Sequence, residues 1–174
     1  MLRRVTDLFV NGADSFASEH VAVFDDVIGR LIERAERTAL AELSGRLAQI
    51  DNAPANVIGR LARHEDITIA GPILQKSNLD QHTLVEVAEA KGEKHLAAIA
   101  NRPLISESVT DVLVGRGSPE TARKIADNKD ASFSEVGFVK LINRAKSDKA
   151  LATAIQSRTD LPPELEPFLQ LTLA

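Results

Sequence analysis

The residues best suited to metal or acid–base chemistry in this sequence are its four histidines, His20, His64, His82 and His95. Some helical-repeat enzymes bind iron through His-Glu pairs on facing repeats, because imidazole and carboxylate ligands together suit a ferrous ion. Only His64 is followed by a glutamate, Glu65, and two ligands do not close a metal site. We therefore predict that both are turn residues, and we expect no metal or cofactor. A metal- or small-molecule-binding enzyme built around them is the less favoured alternative.

Motifs for nucleophilic catalysis or phosphate binding are absent from the sequence as well. The chain has no cysteine, which excludes disulfides, thiolate ligands and a cysteine nucleophile. No Gly-x-Ser-x-Gly elbow occurs, and Gly115-Arg116-Gly117 lacks both the Gly-Lys-Ser/Thr ending and the preceding strand of a phosphate-binding loop. We predict that the protein is not an enzyme.

The basic residues recur at regular intervals, at the predicted ends of successive helices. One series is Lys76, Arg102, Lys129 and Arg158, and the other is Arg63, Lys91, Arg116 and Arg144. In a repeat array, such series would line up as cationic ladders facing an anionic partner. We favour the interpretation that they stabilise helix C-termini, which carry partial negative charge, because the two series lie on opposite edges of the array. Some of these cations, together with positions expected to be exposed on the second helices, are candidate protein-binding residues. They are His95, Arg102, Arg116, Arg123, Lys124 and Arg158.

Composition and charge narrow the classes of partner. The chain has 174 residues, of which 44% are hydrophobic and 26% charged, and its net charge is −4. These values are typical of one folded globular domain and unpromising for wrapping nucleic acid. No run approaches the roughly 18 apolar residues of a membrane span, and the first residues lack the apolar run of a secretory signal. We expect a cytoplasmic protein that binds neither nucleic acid nor membranes.

Helical periodicity organises residues 1–52, which we predict to be an N-terminal helical segment and capping hairpin. Apolar residues follow helical spacing in three stretches, near 2–9, 21–35 and 40–50. Ser18 and Thr38 are the expected N-caps of the second and third helices. The first helix would either cap the following hairpin or bind a protein.

From residue 53 onward the sequence repeats, and the repeat predicts the fold class. Paired apolar anchors recur at intervals of 25 to 29 residues, with two short helices in each unit, which is typical of an α-solenoid. We predict an all-α, right-handed, HEAT-like solenoid of about five helical hairpins, with residues 53–174 forming one continuous domain. The first-helix anchors are Val57/Leu61, Leu84/Ala88, Val109/Leu113, Phe138/Ile142 and Leu165/Leu169, and the second-helix anchors are Ala70/Leu74, Leu96/Ala100, Ala122/Ala126 and Leu151/Ile155.

Four short segments carry a family resemblance. They are RVTDLF at 4–9, FDDV at 24–27, HLAAIANR at 95–102 and RTDLP at 158–162. In these segments the chain resembles an uncharacterised α-proteobacterial family catalogued as domain of unknown function 2336. The resemblance implies HEAT-like or leucine-rich-variant helical repeats, in members that are often longer than this chain. It implies no activity, cofactor or site residue.

The sequence finishes on an apolar half-repeat, although solenoids normally end in a unit with a polar outer face. This end would fold back, continue into further repeats of a longer chain, or pair with a second subunit in a homo-oligomer. The apolar residues concerned are Leu165, Phe168, Leu169, Leu171 and Leu173.

These observations favour a non-enzymatic scaffold that binds a protein partner in bacterial signalling or regulation. The binding surface is expected on the concave face of the solenoid. The alternative is an assembly module that acts through its apolar ends.

Overall fold

A computed structural model describes residues 1–173, and across this range the chain is helical. It forms twelve α-helices and two short 3₁₀ turns, while one isolated β-bridge between Ile105 and Ala131 is the only extended pairing in these residues. The predicted all-α class is therefore confirmed. The helices are α1 Leu2–Gly12, α2 Ser18–Ile32, α3 Arg37–Leu47, α4 Ala55–Ala62, α5 Ile67–Lys76, α6 Gln81–Ala90, α7 Glu93–Ile99, α8 Glu107–Arg116, α9 Pro119–Asp127, α10 Glu135–Ala145, α11 Lys149–Gln156 and α12 Glu166–Leu173, and the 3₁₀ turns are Ala13–Ser15 and Pro163–Leu165.

None of the helices within residues 1–173 is long and apolar enough to cross a membrane.

Polar N-caps fix where several of these short helices begin. The side chains of Ser118, Ser134 and Asp148 each accept a hydrogen bond from the backbone N–H three residues further on, which satisfies a donor that the first helical turn leaves unpaired. The predicted caps at Ser18 and Thr38 are wrong, because both residues already lie inside the helices that they were expected to precede.

The chain divides into two compact units, and the first comprises Met1–Val87. In this unit α1 packs against α2 and α3, α2 packs against α4, and α3 packs against α5. The rings of Phe9, Phe16 and Phe24 form a cluster with centroid separations of 5.1 to 6.0 Å. Buried side chains such as Ile28 and Leu43 extend the core between the helices.

The second unit begins at Ala88. Its first helices form one row, in which α10 packs against both α8 and α12, and α11 packs against α9 in the other row. The two rows are joined by the helical hairpins α8–α9 and α10–α11. Fully buried Val109, Leu113, Phe138 and Leu141 lie in the core of this unit.

The apolar anchors predicted for the two series of helices are buried, with one exception. Every first-helix anchor except Leu165 is at most 4% exposed, and every second-helix anchor is at most 3% exposed. Leu165 is half-buried. It lies at the end of the second unit, where the packing differs from that of the preceding repeats.

Candidate protein-binding site

The junction between α8 and α10 is closed at both ends by polar contacts. At one end, the Asp111 carboxylate accepts a 2.7 Å hydrogen bond from the hydroxyl of Ser134, the N-cap of α10. At the other end, the Arg144 guanidinium donates to the carbonyl oxygens of Val114 (2.6 Å) and Gly117 (2.8 Å), at the C-terminus of α8. We call such a pair of helices a capped junction. An acidic residue stabilises the start of the next helix, and a cation of that helix stabilises the end of the previous one.

The first unit contains a second capped junction, between α2 and α4. The Asp25 carboxylate accepts hydrogen bonds from the backbone N–H groups of Asn56 (3.0 Å) and Val57 (2.9 Å), which belong to the first turn of α4. In return, Arg60 donates a 2.7 Å hydrogen bond to the carbonyl of Gly29 near the end of α2. The same arrangement therefore occurs in both units, with different residues.

Arg116 makes a related contact, with the end of α6. Its guanidinium donates to the carbonyl oxygens of Ala88 and Lys91. These contacts support the helix-dipole interpretation of the repeated cations. For Arg116 and Arg144 the helix stabilised is the neighbouring one in the row, whereas Arg63 donates to the carbonyl of Gly59 in its own helix.

Arg158 is one of two candidate binding residues that are buried. Its side chain is 1% exposed and lies 4.6 Å from the ring centroid of Phe133. The guanidinium makes two 2.8 Å hydrogen bonds to the carboxylate of Asp160. Its other hydrogen bonds go to the backbone carbonyls of Ala126, Asn128 and Ala131. These five bonds match the five N–H donors of arginine, so Arg158 has no donor left for a partner.

The remaining candidates differ in how accessible they are. His95 is 6% exposed, so the expectation that it lies on an exposed face is wrong. Arg102 is half-buried, and this burial lowers the pKa of its guanidinium. Arg123 and Lys124 are exposed on α9, as expected. Arg123 lies 3.3 Å from the carboxylate of Asp148, the N-cap of α11.

The His64-Glu65 pair lies in the connection between α4 and α5, which confirms that both are turn residues. The ring nitrogen Nδ1 of His64 accepts a 3.0 Å hydrogen bond from the backbone N–H of Asp66. The pair therefore sits beside the N-cap of α5, since the Asp66 side chain in turn accepts the N–H of Thr68. In the described part of the chain, no group of three or more histidine and carboxylate side chains is placed to hold a metal ion.

The junction between α10 and α12 lacks the polar contacts of the capped junctions. In the repeat register, Lys140 occupies the position of Asp111, and Leu171 occupies the position of Arg144. Within residues 1–173, no side chain donates a hydrogen bond to the carbonyl of Asn143 or Lys146 at the end of α10. We call α10 and α12 the uncapped junction.

An apolar groove opens along the uncapped junction, with a volume of about 470 Å³. Phe168 and Leu171 remain 59% and 77% exposed there, and Val139 is 43% exposed. Large apolar side chains grouped in this way mark sites of protein interaction more often than isolated ones do. The groove is lined by Val139, Ile142, Asn143, Lys146, Leu165, Phe168, Leu171 and Thr172.

The apolar C-terminal residues could be identified from the sequence, but their position against α10 could not. A signal for the groove exists in the sequence. Lysine takes the acidic position on α10 and leucine takes the basic position on α12, while the apolar anchors of both helices continue.

The paired helices and the groove define an all-helical protein built from short hairpins. A family profile described as "Uncharacterised protein conserved in bacteria (DUF2336)" matches residues 69–166, and the chain belongs to this family. The predicted membership is thereby confirmed. No curated protein and no solved structure matches the chain.

Proposed function

We propose that the protein is a non-enzymatic scaffold that binds a protein partner in bacterial signalling or regulation. The observation that carries this proposal is the apolar groove along the uncapped junction. A groove between two helices suits the apolar face of a partner helix, because side chains at i, i+3, i+4 and i+7 enter it together.

The groove has the composition of a protein-binding site. Its floor consists of aliphatic and aromatic side chains, and polar groups are confined to Asn143, Lys146 and Thr172. Phe168, exposed within an apolar surface, is the type of residue that contributes most binding energy in interfaces. This location differs from the second-helix surface that the sequence favours, where Arg123 and Lys124 remain exposed candidates.

The wider architecture is part of the same proposal. We propose that the hairpins form a right-handed, HEAT-like solenoid. The support is the repeat of 25 to 29 residues along the sequence and the recurrence of capped junctions inside each unit. A cytoplasmic location likewise stays a prediction.

A nuclease-treated pull-down from lysate of the source bacterium tests the proposal. The bait is the full chain, compared with the double variant Phe168→Ser/Leu171→Ser, which makes the groove polar. Leu104→Ser is the matched control, because Leu104 is 71% exposed but does not line the groove. We expect a protein that is retained by the wild type and the control and is lost by the double variant.

A second bait, Arg123→Glu/Lys124→Glu, tests the surface predicted from the sequence. If this variant loses the partner while the groove variant keeps it, binding takes place on the second helices and the groove assignment is wrong. If neither variant loses a partner that the wild type retains, both surfaces are excluded.

A further inference from the structure

We infer that the groove receives helix α2 of a second copy of this chain, so that copies associate head to tail. The inference rests on the proposed function, since it names an occupant for the same groove. The charges and the apolar surface along α2 are complementary to those along the groove.

The exposed face of α2 carries one stripe of residues that is complementary to the groove in its charges and its apolar surface. Glu19, Val23, Val27 and Arg30 follow each other at intervals of four, four and three residues, which places them on one side of a helix. Val23 and Val27 are 63% and 38% exposed. The stripe is therefore acidic at its start, apolar in its middle and basic at its end.

The two ends of the groove carry opposite charges in the matching order. Lys146 lines the groove at the end of α10, whereas exposed Glu164 and Glu166 flank Leu165 at the start of α12. An α2 helix lying antiparallel to α10 would bring Glu19 to Lys146 and Arg30 to the two glutamates. Arg30 forms an exposed ion pair with Asp26 in its own helix, a kind of contact that costs little to exchange.

The helix dipoles favour the same orientation. The N-terminus of α2 has no side-chain cap, and the carbonyls of Asn143 and Lys146 at the end of α10 receive no side-chain donor from residues 1–173. Antiparallel docking brings the partial positive charge of one helix end to the partial negative charge of the other. The stripe from Glu19 to Arg30 covers 12 residues, about 16 Å along the helix axis, and the stretch from Glu135 to Lys146, the C-cap of α10, covers the same number.

The contact is heterologous, because the two surfaces involved are different, and a dimer therefore still has one unoccupied groove and one unoccupied α2 face. Sedimentation equilibrium of the full chain between about 5 and 500 μM tests it. The wild type should show a weight-average mass that rises with concentration beyond that of a dimer. Phe168→Ser should raise the dissociation constant at least tenfold, as expected from the loss of an apolar anchor, while Leu104→Ser should leave it unchanged.

A charge exchange tests the orientation. Lys146→Glu and Glu19→Lys should each weaken association about fivefold, in line with exposed ion pairs, and an equimolar mixture of the two variants should recover it. Recovery cannot come from altered folding of either variant. Lys94→Glu is the matched control, because it makes the same charge change at an exposed residue of α7 that does not line the groove.

The outcomes separate this inference from the proposed function. A wild type that stays monomeric to 500 μM overturns the second copy as occupant, and the groove-dependent pull-down then stands alone. Association that is insensitive to Phe168→Ser, or charge variants that the mixture does not rescue, also overturn it. Loss of the partner in the pull-down without any self-association supports a foreign helix in the groove.

Discussion

The α8–α10 and α10–α12 pairs are successive steps of the same repeat, but the first is a capped junction and the second is the uncapped junction. In the first pair, Asp111 and Arg144 reach across to the neighbouring helix. In the second pair, Lys140 and Leu171 stand at the corresponding positions, and an apolar groove lies between the helices. Both pairs keep the anchors of the core. The difference shows that core packing and closure of the junction are specified by separate residues.

This separation has an energetic consequence. Arg144 and Arg116 form hydrogen bonds to helix carbonyls that would otherwise face solvent, and a charge-assisted bond of this kind contributes about 1.5–3 kcal/mol. Within residues 1–173, α12 makes no such contact with α10, so its position depends on apolar burial, chiefly of Leu169, which is 1% exposed. A helix held in this way leaves neighbouring apolar surface available to a partner.

Among these substitutions, Arg158→Met is expected to have the largest effect on the free energy of unfolding. The substitution removes five hydrogen bonds around an enclosed guanidinium and leaves the carbonyls of Ala126 and Ala131 without their donor. We expect the free energy of unfolding to fall by about 3 kcal/mol, because unsatisfied buried groups are costly. Urea denaturation measures it. The control Arg123→Met, at an exposed ion pair, should change it by about 0.5 kcal/mol or less.

Arg144→Met tests the capped junction directly. The variant keeps most of the aliphatic stem but removes the donors to Val114 and Gly117, so we expect a loss of about 2 kcal/mol. Amide exchange read residue by residue should show the loss of protection concentrated at the ends of α8 and α10. An effect as small as that of Arg123→Met would mean that the capping contacts do not distinguish the two junctions.

The sequence predicted the core better than the polar contacts. The anchors follow from hydrophobic spacing alone, because a short amphipathic helix must bury its apolar stripe, and all except Leu165 are well buried. The cations were located at helix ends, but spacing cannot tell which carbonyl an arginine will reach. Arg158 and Ala131 are bonded although they lie 27 residues apart.

The sequence was least able to predict which residues of a short helix are exposed. His95 was expected on an exposed face and is buried, because α7 has only seven residues and its periodicity cannot separate the two faces. The groove also required the structure, since it depends on the path of α12 relative to α10. In contrast, the turn positions of His64 and Glu65 could be predicted from the polar residues that separate two apolar stretches.

Leu171→Arg would convert the uncapped junction toward the capped one. The new guanidinium occupies the register position of Arg144, within reach of the carbonyls of Asn143 and Lys146. We expect unfolding free energy to rise by about 0.5–1 kcal/mol, the net contribution of such a bond at an exposed site. Protection of the α12 amides against hydrogen exchange should increase, and binding of a partner in the groove should be lost. Leu171→Met, which supplies no donor, should produce neither change, and equal behaviour of the two variants would contradict the comparison.

The smallest expected effect concerns pH at the α7–α9 pair, where Glu93 accepts hydrogen bonds from the Ser118 N–H (2.9 Å) and the Thr121 hydroxyl (2.6 Å). Burial raises the pKa of Glu93, but these hydrogen bonds outweigh it and hold the pKa below its ordinary value of 4.5. Because the folded pKa is the lower one, the stabilisation is complete above pH 4.5 and is lost as the pH falls through the folded value. Glu93→Gln removes this titration while keeping both contacts, because its amide oxygen can still accept from the Ser118 N–H and its NH2 group can donate to the Thr121 hydroxyl oxygen. In urea denaturation between pH 6 and pH 3, the wild type should therefore lose more stability than the variant, and parallel curves would show that Glu93 does not secure the start of α9.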